Sequence, residues 1–148
     1  ENSSLVFQDG STYEQAQNAT MHVQAGCTLH IQSGANAILK GTLKIDSGAL
    51  VIVNGIAHFD TSARLIVNPG GKLLVEGGKL TSMGTNAMWQ GVEVLENRTK
   101  HQVAQFQGTV ELKDGAVIEL PILCHKFLWH KSVRIGKKFK YDLQKHLQ

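Results

Sequence analysis

The sequence predicts an all-β, single-domain parallel β-helix, a three-sided solenoid with about 21–23 residues per coil. Three observations carry this. Turn residues recur every seven or eight positions from residue 26, at Gly26, Gly34, Gly41, Gly48, Gly55, Ser62, Gly70, Gly77 and Gly84. The segments between them (TLHI, TLKI, ALVIV, ARLIV, KLLV) are rich in Leu, Ile and Val and alternate with period two. A longer echo of about 22 residues then groups the segments in threes. A heptad of glycines rules out a coiled coil, because glycine is among the worst helix formers. A meander of hairpins has no reason to produce the longer echo.

Taking every third segment yields three columns. The first holds Met21/Val23, Leu43/Ile45 and Leu65/Val67; the second Leu29/Ile31, Leu50/Ile52 and Leu73/Val75; the third Ile38, Phe59 and Leu80. Stacked coils bury such columns in a shared lumen, which a single coil cannot do. Asp9-Gly10, Asn54-Gly55, Asn68-Pro69-Gly70 and Asp114-Gly115 are turn signals. With these columns Val51, Ile66 and Leu74 face outwards, an apolar stripe that needs cover. Phe127, Leu128 and Trp129 of the tail are the candidates. His22, His30 and His58 alternate with inward residues and are expected to face solvent.

The organisation divides into three parts. Residues 1–19 form an N-terminal cap or an irregular first coil, and residues 20–120 the β-helix, with a loop-out near 95–107. Residues 121–148 are a basic tail. That tail carries seven Lys/Arg and one acid, +6, whereas residues 1–120 sum to −3, so the overall +3 misrepresents the main body. A mildly acidic body disfavours nucleic acid as a partner. Three readings of the tail stay open: a capping helix or strand, a basic arm for an anionic partner, and the truncated or frame-shifted end of a longer gene. The chain opens on Glu1 with no basic and apolar leader, so a processed form or an excised piece is expected. No apolar run reaches the ~18 residues of a membrane-spanning helix.

Beyond the coils, Trp89-Gln90-Gly91-Val92-Glu93-Val94 leads into the polar segment ENRTKHQVAQFQ and then into Gly108-Thr109-Val110-Glu111-Leu112-Lys113-Asp114-Gly115-Ala116-Val117-Ile118-Glu119. Over about residues 20–119 this pattern resembles the right-handed β-helix regions of secreted bacterial surface proteins, adhesin-like exports associated with type IX secretion. The resemblance implies the right-handed form of the solenoid. It also implies an extracellular or cell-surface location, associated with the outer membrane. The partners it suggests are surface glycans and other modules of a longer chain.

Signals for catalysis are sparse. β-Helical lyases and hydrolases need clustered carboxylates on one face, whereas Asp46, Asp60 and Asp114 fall in or beside turns, where Asp normally bonds its own backbone. The calcium-binding GGxGxD repeat is missing, since Gly70-Gly71 and Gly77-Gly78 are each followed by Lys-Leu. Cys27 and Cys124 are separate thiols outside any CxxC pattern, read as small buried residues. No cofactor and no metal site is expected. The carbohydrate-contact candidates are Trp89, Glu93 and Phe106, with Trp89 offering a ring for a sugar to stack on. The function read from these residues is a non-catalytic, adhesin-like module. The alternatives are a fragment of a carbohydrate-active β-helix enzyme and a polymer-forming scaffold.

Overall fold

A computed structural model describes residues 2–84, 89–95, 99, 107–119 and, for the backbone alone, 133–135. It is a right-handed parallel β-helix, the hand that strand twist imposes on parallel crossovers. In chain order the strands are β1 (Ser3–Phe7), β2 (Thr12–Glu14), β3 (Thr20–Val23), β4 (Cys27–Ile31), β5 (Asn36–Leu39), β6 (Thr42–Ile45), β7 (Leu50–Val53) and β8 (Ile56–Phe59). There follow β9 (Arg64–Val67), β10 (Lys72–Glu76), β11 (Lys79–Ser82), β12 (Val92–Val94), β13 (Thr109–Lys113), β14 (Val117–Ile118) and β15 (Val133–Ile135). Every third strand stacks. Sheet A runs β1-β4-β7-β10-β13-β15, sheet B β2-β5-β8-β11-β14, and sheet C β3-β6-β9-β12. All pairings are parallel. Among the described residues there is no helix, and so none long and apolar enough to cross a membrane.

The first column appears in the expected register, Met21↔Leu43↔Leu65 and Val23↔Ile45↔Val67. The second is corrected by one residue at β7. Val51 and Val53, not Leu50 and Ile52, stand opposite Leu29 and Ile31 on one side and Leu73 and Val75 on the other. They are 0% and 1% exposed, and Leu50 and Ile52 face out. Segment 49–53 is apolar at every position, so alternation cannot set its phase, and a one-residue slip exchanges the two faces. The third column changes in the same way. Ile38 pairs with His58 on the outside, while Ala37 and Leu39 enter the lumen beside Ala57 and Phe59. Leu80 is inward as expected, opposite Ala57.

The outer apolar stripe is therefore not Val51, Ile66 and Leu74. Val51 is in the core. Leu74 stands on sheet A between Ile52 and Glu111, with His30 beyond Ile52. Ile66 stands on sheet C between Lys44 and Glu93. His22, His30 and His58 do lie on outer faces, His22 exposed and His30 and His58 half-buried by their neighbours in the ladder. Phe127, Leu128 and Trp129 lie outside the described residues.

Corners place two demands on the chain, and Gly70-Gly71 shows both. Gly70 has φ +82°, a left-handed conformation that costs an L-residue roughly 1–2 kcal/mol. At Gly71 a Cβ atom would lie 2.8 Å from the Ile45 carbonyl oxygen of the coil below, so backbone contact demands glycine there. A second corner signal is the Gly-Ala pair: Ala35, Ala49 and Ala116 follow left-handed glycines and turn inward, each at most 3% exposed. Buried Gln15 stitches the first coil to the second, accepting from the Lys40 and Gly41 N–H groups and donating to the Ala19 and Thr42 carbonyls.

The regular step lengthens near the C-terminal end. Lys72 pairs with Leu50 22 positions earlier, but with Thr109 37 positions later. On either side of this longer step Leu95 and Gly108 lie together, the Gly108 N–H donating to the Leu95 carbonyl at 2.7 Å. Residues 2–19 contribute β1 and β2, which pair parallel with β4 and β5. From the tail, Val133–Ile135 adds a further parallel strand to sheet A beside β13.

Candidate functional site

Two polar assemblies lie on the outside of the solenoid, both built by stacking equivalent positions of successive coils. The larger follows the corner where sheet A turns into sheet B. It is a shallow groove of about 540 Å³ lined by His30, Gln32, Ser33, Asn54, Glu76 and Asp114. Asn54 follows β7, Glu76 closes β10, and Asp114 follows β13, so each coil delivers one polar side chain to the same line.

The hydrogen bonds in this groove have a direction. Asn54 Nδ2 donates to the Glu76 carbonyl at 2.8 Å, an acceptor only. Asn54 Oδ1 therefore faces His30 Nε2, 2.5 Å away, and that nitrogen must carry the proton. In the neutral ring, Nδ1 is then left as the acceptor. Asp114 takes φ +54° at the turn, a conformation Asp tolerates better than most residues. Beside the groove, Glu111 accepts from Lys72 at 2.9 Å and from Lys113 at 3.1 Å. These bonds, Lys72 first, hold the Glu111 carboxyl below its usual range. Glu111 in turn holds the Lys113 ammonium above its ordinary value, aided by the charges of Glu76 and Asp114.

The second assembly lies on sheet C. His22 Nε2 meets Asp46 Oδ2 at 2.6 Å, and Asn68 Nδ2 donates to Asp46 Oδ1 at 3.0 Å. The His22 bond is the main cause that keeps the Asp46 carboxyl below 3.8. Asp46 thus bonds across coils rather than to its own turn. Asp60 does follow the turn expectation: the Ser62 N–H donates to its Oδ1 at 2.9 Å, while Gln17 reaches its Oδ2 at 3.1 Å. Burial pushes the Asp60 carboxyl up, but these bonds outweigh it and the net displacement is downwards. Among the described residues, no three His, Cys, Asp or Glu side chains are gathered as a metal centre would need.

Of the residues singled out for carbohydrate contact, Trp89 and Glu93 are among the described residues. Trp89 is 2% exposed, stacked on Phe59 with ring centroids 4.1 Å apart, and its Nε1–H donates to the Glu119 carbonyl at 3.0 Å. The ring is part of the core and shows no face to solvent. Glu93 stands on the outer face of sheet C in line with Ile66, Lys44 and His22, three strand spacings or about 14 Å from the histidine. Phe106 lies outside the described residues. Cys27 is a free, half-buried thiol whose Sγ is 3.2 Å from Ser3 Oγ, and Cys124 lies outside the described residues. His30, Asn54 and Glu76 escaped the sequence reading because their roles depend on which coil position falls at the A/B corner. The recurrence of a polar residue just before or at each corner glycine was the available signal.

Comparison with family models, curated proteins and solved structures finds no match to this chain.

Proposed function

We propose that this chain is a non-catalytic structural module, an adhesin-like β-helical segment of an exported bacterial surface protein. It holds its ends at a fixed separation and displays its outer faces. The observation that supports this reading is the continuity of the ladder. Sheet A passes through every coil from β1 to β13 with an unbroken apolar column, Leu29, Val51, Leu73 and Val110, at its centre. A hydrogen-bonded rod of this kind resists bending, and successive coils present side chains at a spacing of ~4.8 Å. The extracellular location rests on the resemblance of residues 20–119 to secreted β-helices. Surface glycans and neighbouring modules of a longer chain are the partners it suits.

One observation favours the carbohydrate-active alternative: Glu76 and Asp114 line the same groove. Incubation with a panel of acidic and neutral polysaccharides separates the two. Retention of a glycan with unchanged chain length is the expected result for a display module. Reproducible cleavage that disappears in the Glu76→Gln/Asp114→Asn double variant overturns it.

A further inference from the structure

The corner between sheets A and B breaks the repeat. Phe7, Ile31, Val53, Val75 and Leu112 stand in register on sheet A before that corner. Thr12, Asn36, Ile56, Lys79 and Val117 stand in register on sheet B after it. Between these two fixed lines the chain uses four residues at 8–11, 32–35 and 113–116, but only two at 54–55 and three at 76–78. A longer connection across the same gap has to bulge outwards, so the two middle corners lie recessed between taller turns. The glycines of the short corners show how far they are drawn in. A Cβ atom on Gly55 would stand 2.4 Å from the Gln32 carbonyl oxygen and 2.5 Å from that of Ala35, and one on Gly78 would stand 2.4 Å from that of Val53. Backbone lies against backbone there, and the recessed corners carry the side chains of Asn54 and Glu76 alone.

Two kinds of surface meet in this notch. On the sheet A side it is the polar groove of about 540 Å³, with Ser33 on the lower turn and Asp114 on the upper. On the sheet B side lies a hollow of about 410 Å³ whose lining includes Ile56 and Val117. These two are 37% and 39% exposed, and among the described residues only Leu5 and Val6 are other large apolar side chains so exposed. The taller turns are three strand spacings apart, about 14 Å, so they bound the notch along the solenoid axis and leave it open across the corner. The Asn54 amide is occupied at both ends, by the Glu76 carbonyl and by His30. The Glu76 and Asp114 carboxylates form no hydrogen bond or ion pair among the described residues.

We propose that this notch is a saccharide-binding site that takes a short neutral oligosaccharide laid across the corner. The proposal rests on the reading of the chain as a display module, and gives that module its ligand site. A pyranose has an apolar face of C–H bonds and an edge of hydroxyl groups. The notch offers the complement: Ile56 and Val117 for the face, Glu76 and Asp114 to accept from the hydroxyls, and Ser33 and Gln32 to donate in return. Two carboxylates repel a uronate, which selects against acidic glycans. A cationic ligand is the poorer match, because Lys113 stands next to Glu76 on sheet A and already feels the charge of both carboxylates.

The test is calorimetric titration of the 148-residue chain with short neutral oligosaccharides, with uronic-acid oligosaccharides of matched length, and with oligolysine. A neutral oligosaccharide is expected to bind with a dissociation constant below about 1 mM and to be recovered uncleaved, with the uronic acids at least about tenfold weaker. Glu76→Gln and Asp114→Asn each weaken the neutral ligand about fivefold or more, and Ile56→Ser does so by a smaller factor. Insertion of Ser-Gly between Asn54 and Gly55 gives that corner the length of its taller neighbours and abolishes binding. Circular dichroism verifies that each variant is folded, and the three substitutions decide the matter if the insertion does not fold. Glu93→Gln, on the outer face of sheet C, leaves binding unchanged. Failure of every neutral oligosaccharide to bind overturns the inference. Binding that all the notch variants leave unchanged overturns the site but not the display reading, whereas cleavage of the ligand overturns the display reading itself. Tighter binding of uronic acids or of oligolysine overturns the ligand class.

Discussion

The lumen and the outer surface are made from alternate residues of the same strands, yet they follow different rules. In β7 the inward Val51 and Val53 are sealed between the residues above and below, while Leu50 and Ile52 are equally apolar but face out. Inside, each side chain is held by neighbours in its own column and in the two opposing sheets. Outside, it is held by its column alone. Hydrophobicity therefore does not distinguish the faces; position relative to the corner does. The same division applies to polar groups. Outer-face polar residues pair along the ladder, as His22 does with Asp46 and Asn54 with Glu76, whereas the buried Gln15 has to satisfy its amide completely on four backbone groups.

The sharpest way to break that comparison is to place one charge on each face of β7. Val51→Asp leaves a carboxylate in a closed apolar column and is expected to cost about 4–5 kcal/mol, enough to prevent a stable fold. Leu50→Asp, one residue away, is expected to cost no more than about 1 kcal/mol. Urea denaturation of the two variants checks this. A larger loss for Leu50→Asp than for Val51→Asp would mean that the register of β7 is the one Leu50 and Ile52 suggest.

An intermediate effect is expected at the corners, where inside and outside meet. Gly71→Ala puts a methyl group 2.8 Å from the Ile45 carbonyl oxygen and 2.9 Å from that of Asp46. Both are backbone atoms of the coil below, so relief requires the coils to part. A loss of about 2–3 kcal/mol follows. It should appear as a lower urea midpoint without a change in slope.

The smallest effect belongs to the outer face and depends on pH. The His22 bond depresses the Asp46 carboxyl below 3.8, so the native chain binds this proton less readily than the unfolded chain. The stabilisation is fully present above about pH 4 and is lost as the pH falls below that value. Both partners are substantially exposed, at 41% and 30% of their side chains, which limits the contribution to under about 1 kcal/mol. Asp46→Asn should therefore be less stable than the parent at pH 6, with the gap narrowing by pH 3. A gap that is constant with pH would show that packing, not charge, holds this pair.

Legibility in the sequence followed the same divide. Where an apolar strand residue alternates with a polar one, as in Leu43-Lys44-Ile45, the inward set could be read directly, and the first column appears in its expected register. Where the strand is apolar throughout, as in Leu50-Val51-Ile52-Val53, or where small residues line the lumen, as at Ala37 and Ala57, the phase slipped by one. Trp89 shows the limit for the site. An aromatic next to a polar loop more often packs inward than offers a sugar platform, and its stacking on Phe59 and its bond to the Glu119 carbonyl place it in the core.

The sequence by itself determined the coil. Glycine periodicity and the 22-residue echo are local consequences of corners that need left-handed or side-chain-free backbone, and of strands that need branched side chains. The tertiary structure alone decided which face each residue takes in the uniformly apolar strands. It alone placed His30, Asn54, Glu76 and Asp114 on one corner, and left Leu5 half-exposed in a column whose later members are buried. These are relations between coils. They depend on how far the chain advances between one corner and the next, and a slip of a single residue, invisible in the pattern, exchanges inside for outside.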